Sequence, residues 1–430
     1  VRKLFKFSIF LLLFLVVVIP NSLQIPTAAM MLWCALLSLH SNRLMRTAPH
    51  FLLMHLAVIA ITIIYIIVGQ INNAPAAAVL QVIVIYILSP LLWLLIASEI
   101  FNRLGSEKLI AWLGFLSACA VGTVALFFLL FSWGGPDAVA FFKEDANVNL
   151  EDGYAAATML VYGSLIFLTA GFFAAPTCIK SPNKRVLLLI ALTIAAITSG
   201  RSALIIAIPI GILSWMVFRP AKIRQDSKVR LRRKSLIDVV SSSPLLCAVI
   251  AGAGLVVLAS AYGVDVLLIL THLVEEIGEG GGSERADQFV ALLKGTVDNW
   301  GLGAGHGVGL PDVVRNQYYP WRYEMVWAAT LFRVGLLGSF VYALPFFVYL
   351  LMFVRYRRAL GRSDTDLFFF AGFSASFLAS NTNPYIESFA FQWMFVLPMV
   401  SLASRVSELR RARRALAKQN VQNTGLQVAA

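Results

Sequence analysis

The sequence predicts an all-α polytopic membrane protein of about twelve transmembrane helices, with one large loop between the ninth and tenth. Three observations carry that prediction. The chain is 59% hydrophobic and only 13% charged over 430 residues, with a mean hydropathy of +0.80, too apolar for a soluble domain of this length. Its apolar runs have the length needed to cross ~30 Å of hydrocarbon. Lysine and arginine fall almost entirely in alternate loops, as the cytoplasmic bias of basic residues requires.

In chain order the runs are 5–20, 24–40, 50–68, 77–98, 109–131, 154–175, 186–199, 202–218, 244–262, 324–353, 367–380 and 388–404. The first follows Arg2, Lys3 and Lys6, as a signal peptide would. No small-residue cleavage site follows it and a second run begins almost at once, so it reads as a retained span. Residues 186–218 would form a single helix of ~50 Å, too long for one crossing. Two short spans turning at Thr198-Ser199-Gly200-Arg201 remove the excess, because glycine permits a tight turn and the arginine reaches the outer interface. The chain 1–430 thus reads as a single integral membrane domain, with 262–323 as an outer loop and 405–430 as a basic cytoplasmic tail.

With both termini cytoplasmic, the inner loops take Arg43, Arg46, Arg103, Lys108, Lys180, Lys184 and Arg185, the run from Arg219 to Lys234, the cluster from Arg355 to Arg362, and the tail from Arg405 to Lys418. The outer face keeps Lys143, Arg201, Arg285, Lys294, Arg315, Arg322 and Arg333. The net charge of +13 is then mostly topology and gives no reason to invoke nucleic acid. The run ending in Arg230, Arg232, Arg233 and Lys234 can also touch anionic lipid headgroups.

Neither cysteine nor histidine shows a pattern. Cys34, Cys119, Cys178 and Cys247 lie in or near apolar runs, and His40, His50, His55 and His272 are scattered, so no disulfide framework or metal-ligand spacing emerges. The outer loops hold no paired aspartates with metal-binding spacing either, and chemistry there is expected to need no metal and no cofactor. The glycines of 301–309 simply alternate, which matches neither the dinucleotide fingerprint nor a P-loop. They read as a strap whose bare backbone can approach another surface closely. Upstream, Ser283 is placed to cap a helix from about residue 284 to 297 that lies along the membrane surface, with Arg285 near its start and Phe289, Leu292 and Leu293 on its apolar face. Downstream, Tyr318, Tyr319, Pro320, Trp321, Arg322 and Tyr323 form an aromatic cluster, suited to an interfacial belt or to stacking on sugar rings.

Several of these pieces occur in a particular order: Ser199-Gly200-Arg201 at an outer hairpin; Arg285 followed by Trp300-Gly301-Leu302-Gly303-Ala304-Gly305; then Glu324 eleven residues before Gly335-Leu336-Leu337-Gly338. In this the chain resembles the bacterial O-antigen polymerase and O-antigen ligase superfamily, in detail from about residue 190 to 384 and elsewhere in topology. The resemblance implies a polytopic inner-membrane glycosyltransferase with a large periplasmic loop and a donor glycan on undecaprenyl pyrophosphate. Ligases typically carry a histidine where this chain has Glu324, which favours the polymerase branch, although His306 lies close enough in sequence to supply an imidazole. The alternatives are a ligase that transfers glycan to lipid A core or protein, and a transporter of lipid-linked sugars. Against transport, the sequence shows no internal repeat.

Such a reaction needs cations for a diphosphate leaving group and a base for the attacking hydroxyl. Guanidinium pairs bidentately with phosphate, which singles out Arg201, Arg285, Arg322 and Arg333. Arg333 falls about nine residues into the tenth span, roughly 13 Å deep, and needs a carboxylate or phosphate partner there. Glu324 is the expected base, with pairing to Arg322 as its structural alternative. Tyr319, Trp321 and Asn383, the last in the outer turn 381–385, are the expected sugar contacts. Implied partners are undecaprenyl-pyrophosphate-linked glycans, membrane lipids and a chain-length regulator.

Overall fold

The structure is a computed structural model that describes all residues except 1, 21, 40–46, 141–145, 152, 153, 160, 200, 219–236, 238, 239, 241, 242, 262–281, 312, 314–318, 358, 360–362, 429 and 430. The described chain is helical apart from one hairpin. Its helices are α1 (Arg2–Val17), α2 (Gln24–Leu39), α3 (Pro49–Ile71), α4 (Ala76–Arg103), α5 (Ser106–Ala138), α6 (Tyr162–Ala174), α7 (Pro182–Ile197), α8 (Ser202–Phe218), α9 (Pro244–Ala261), α10 (Gly282–Asp298), α11 (Val326–Tyr356), α12 (Asp364–Ala379) and α13 (Trp393–Val428). Four stretches, Pro49–Ile71, Ala76–Arg103, Ser106–Gly135 and Val326–Tyr356, are long and apolar enough to cross a membrane. Large apolar side chains on their outward faces, among them Leu53, Ile67, Leu129 and Phe340, stand more than half exposed. A belt of that kind belongs against lipid.

Each expected apolar run contains a helix, and residues 186–218 divide into α7 and α8 around 198–201. The sixth run needs correction. Its helix starts only at Tyr162, because Tyr154–Met159 is a strand (β2) paired antiparallel with Ala146–Glu151 (β1), in the register Glu151↔Tyr154 to Ala146↔Met159. The two residues between the strands are Asp152-Gly153, a strong sequence signal for a hairpin. The last run also begins late, at Trp393, and its helix continues through the basic tail. The strongly basic run 219–234 and the loop start 262–281 lie outside the described residues.

Helix α6 is the centre of the core, with every residue from Tyr162 to Ala174 buried. Glycines let its neighbours come close. A Cβ on Gly211 of α8 would meet the Ala170 carbonyl oxygen at 2.7 Å, and one on Gly171 would meet Phe368 of α12 at 2.7 Å. Small residues at such crossings give tight van der Waals packing where lipid removes the hydrophobic drive between helices.

Contacts sort the loops into two ends. At one end Glu107 meets Lys180, Thr177 donates to Asp364, Arg405 pairs with Asp366, and Arg410 donates to the Tyr356 hydroxyl. At the other, Arg201 reaches Tyr385, and segments 65–81, 301–311, 319–324 and 381–388 interlock. This second end holds the expected site residues.

Candidate functional site

The site is assembled on a break in α11. Gly335 has φ 62° and ψ −170°, a conformation only glycine adopts readily, and it kinks the helix. A kink strands backbone groups that must find other partners. The glycine strap supplies them: Ala304 N–H donates to Phe332 O at 2.8 Å, Gly305 N–H to Arg333 O at 2.9 Å, and Leu336 N–H donates to Gly301 O at 2.9 Å. On its other side the strap lies on the end of α3. His306 N–H donates to Tyr65 O at 2.8 Å, Asn72 Nδ2 to Ala304 O at 2.8 Å, and the Tyr65 hydroxyl to Leu302 O at 2.6 Å. Side chains are excluded from this sandwich, since a Cβ on Gly305 would lie 2.2 Å from Gly69 N and one on Gly303 2.5 Å from Gly335 N. The close approach expected of the alternating glycines is thus made to two helices at once.

His306 is sealed inside, 1% exposed. Its Nε2 lies 2.8 Å from the Tyr342 hydroxyl, which lies 2.7 Å from Thr62 Oγ1, which in turn donates to Val58 O at 2.7 Å. That last bond fixes the protons. Thr62 spends its hydrogen on a carbonyl, so Tyr342 donates to Thr62 and His306 donates through Nε2. Nδ1 then carries a lone pair and has no partner among the described residues. Burial, with the Arg333 charge adding, pushes the imidazole down to about 3. Such a ring is a weak base out of reach of solvent, which argues against His306 as the proton acceptor.

The expected arginines divide into two ion pairs and two other contacts. Arg333, deep in α11, donates through Nη1 to Glu387 Oε1 at 2.5 Å and through Nη2 to Trp321 O at 2.5 Å. Both side chains of the pair are under a tenth exposed, and the Tyr86 hydroxyl also donates to Glu387 Oε1 at 2.6 Å. Arg333's partner is therefore a carboxylate. Arg285, near the start of α10, donates through Nε to Glu324 Oε2 at 2.7 Å, with the two side chains 34% and 12% exposed. Glu324 N–H donates to the side chain of buried Gln288 at 3.2 Å, which seats the segment on α10. The expected alternative of an Arg322–Glu324 pair is replaced by this one. Arg322 instead lies over the Tyr319 ring at 4.0 Å and donates to Gln81 Oε1 at 3.1 Å.

Trp321 also donates to Gln81 Oε1, at 3.0 Å, and is 7% exposed, so its ring is packing, while Tyr319 at 39% remains open. Arg201 donates through Nη1 to the Tyr385 hydroxyl at 3.1 Å, and its buried Nε has no partner among the described residues. Asn383 shapes the same turn through its backbone, accepting from Tyr385 N–H at 2.7 Å and donating to Ala379 O at 3.1 Å. The turn carrying Tyr385 and Glu387 thus links Arg201 to Arg333.

Helix α10 forms as expected, with Ser283 as its second residue rather than ahead of it. Its faces need correction. The buried stripe is Gln288, Leu292, Gly295 and Thr296, whereas Phe289, Val290 and Val297 are exposed at 42%, 65% and 74%. Trp300, Leu302 and Leu336 continue this open apolar surface at 88%, 71% and 67%. The helix has a core-facing sector, a polar one with Asp287, Lys294 and Asp298, and an unpartnered apolar one between them.

Tyr86, Gln81 and Glu387 were not expected from sequence. Tyr86 sits in a π-helical segment of α4, Ile83–Leu88, followed by Pro90. Proline has no N–H for the Ile85 carbonyl, and Gln392 Nε2 donates there instead at 2.8 Å. Below this network an apolar cavity of about 120 Å³ opens between α3, α4, α11 and α13, lined by residues including Phe51, Tyr86, Trp327, Tyr342 and Phe346. In comparison with known proteins, the chain matches no family model and no curated protein.

Proposed function

We propose that the chain is a glycan polymerase of a bacterial inner membrane, with twelve of its helices crossing the bilayer, both termini cytoplasmic and the site at the periplasmic face. It would transfer a growing glycan from undecaprenyl pyrophosphate to the next lipid-linked repeat unit. One observation carries the reading: Arg285 and Glu324 form a partly exposed ion pair between the first turn of α10 and the segment before α11, at the same end of the molecule as Arg201, whose buried Nε lacks a described partner.

The pair suggests how the reaction would be gated. A diphosphate entering the site competes with Glu324 for Arg285 and binds Arg201 as well. Glu324, no longer engaged by that guanidinium, can turn its carboxylate toward the acceptor. The hydroxyl of the incoming repeat unit attacks the anomeric carbon of the donor and its proton passes to Glu324. The carbon–oxygen bond to the diphosphate breaks, and its electron pair leaves on undecaprenyl pyrophosphate, where the two arginines offset the charge. Arg333 and Glu387 already satisfy each other and brace the floor. The apolar cavity beneath them has the lining a prenyl chain would need, and the open apolar sector of α10 suits a helix lying in the interface.

The test uses purified protein in vesicles with undecaprenyl-pyrophosphate-linked repeat units, with and without chelator. The expected product is a ladder of lipid-linked oligomers, abolished in Arg285→Ala. Glycan transferred only to a lipid A core acceptor would make the protein a ligase, and no transfer to either acceptor would overturn the enzymatic reading.

A further inference from the structure

The end of the molecule opposite the site carries a second, larger opening. A groove of about 1550 Å³ runs between α5 and α7 and ends at a polar mouth formed by the first turns of both helices. Its floor along α5 is made of Ala111, Gly114, Ala118, Gly122 and Ala125, and Phe115 and Leu187 stand beside it 58% and 69% exposed. From Ala111 to Ala125 the floor extends about 21 Å at helical rise, against the ~15 Å of one leaflet's hydrocarbon. The floor is open at Gly122, where a Cβ would have nothing within 4 Å, and is backed at Gly114 by the Phe172 ring.

The mouth is built for an anion. α5 begins at Ser106 and α7 at Pro182, so the first turns of two helices, where early N–H groups lack intrahelical partners, lie at the same opening. Lys108, Lys180 and Lys184 line it. Of the carboxylates there, Glu107 is met by Lys180 at 3.4 Å and Asp364 by the Thr177 hydroxyl. Lys108 and Lys184 have no carboxylate partner among the described residues, and Lys108 rests over the Trp112 ring at 5.5 Å.

We infer that this groove binds an anionic phospholipid, with its acyl chain along the Ala/Gly floor of α5 and its phosphate at the N-termini of α5 and α7 between Lys108 and Lys184. The occupant is distinct from the glycan donor, whose site is at the other end. The basic residues of the inner loops put the mouth in the leaflet where anionic lipid concentrates.

Native mass spectrometry of the delipidated protein, titrated with phosphatidylglycerol or with phosphatidylcholine of the same chains, tests the inference. One phosphatidylglycerol should be retained, at least tenfold more tightly than phosphatidylcholine. Each lysine near a charged headgroup is worth about fivefold, so Lys108→Ala/Lys184→Ala should weaken phosphatidylglycerol about 25-fold. Gly122→Phe should fill the floor and displace the lipid while leaving Tm near wild type, and Ala118→Leu serves as a second plug. Equal retention of the two lipids, or unchanged binding in the lysine pair or in both plugged variants, would overturn it.

Discussion

Gly305→Ala tests whether the strap holds the broken helix together. The added Cβ would lie 2.2 Å from Gly69 N and 2.4 Å from Gly69 Cα, both backbone atoms that cannot turn aside, at a residue whose φ is +98°. Left-handed backbone costs a non-glycine residue roughly 1–2 kcal/mol, and overpacking typically costs a further 1–3 kcal/mol. The strap would therefore lift by preference, breaking the bonds of Ala304, Gly305 and His306 to Phe332, Arg333 and Tyr65. A loss of about 2–5 kcal/mol corresponds to amide exchange at least ~30-fold faster in that element. Hydrogen–deuterium exchange on peptides covering 301–309 and 332–337 reads this out, with Gly122→Ala, which meets nothing within 4 Å, as the control. Unchanged protection in Gly305→Ala would refute the argument that backbone contact fixes the kink.

Arg333→Met and Glu387→Gln should each lose about 3–5 kcal/mol by leaving a buried charge or its partner unpaired; Arg333→Met/Glu387→Leu should recover much of that loss, measured as Tm in detergent. Arg201→Ala and Arg285→Ala should abolish polymer while membrane abundance stays near normal, whereas wild-type polymer length would leave both as anchors. His306, held near 3 in the fold against ~6.5 when unfolded, contributes no pH dependence above ~6.5. Below it the unfolded chain binds a proton that the native state refuses, so stability falls by ~1.4 kcal/mol per pH unit, about 2 kcal/mol by pH 5. Comparing Tm at pH 7.5 and 5.0 in wild type and His306→Asn should show the drop shrinking in the variant. Reporter fusions at Asp226 and Gly280, which lie outside the described residues, should place the first in the cytoplasm and the second outside.

Lipid makes some of this fold easy to read. A bilayer requires long apolar helices, and those runs stand out in the sequence as plainly as the helices do in the structure. The turn at 198–201 was legible because a single helix there would be too long. Alternating glycines at 301–309 announced a close approach, but nothing local could name its partners, since Gly69 and Gly335 reach the strap from two separate helices. Periodicity misjudged α10 for a definite reason. It separates apolar from polar faces, whereas this helix has core, open apolar and polar sectors, and its buried stripe includes Gln288. The aromatic cluster was visible as a cluster, yet which ring stays open depends on Gln81, far away in α4. Glu387 had a usable signal: a carboxylate in the turn before the last helix, where a deep arginine needed one. Tyr86 had a weaker one in Pro90, which disturbs the helix just beyond it.

The most direct measurement of the central claim is the single-turnover transfer rate of Glu324→Gln against wild type, using purified protein and undecaprenyl-pyrophosphate-linked repeat units. Glutamine keeps the shape and most of the hydrogen bonding of the carboxylate but cannot take the proton. The expected loss is on the order of 10²–10⁴-fold in rate with donor binding retained, with partial activity in Glu324→His, whose imidazole can serve the same role. Full activity in Glu324→Gln would contradict it.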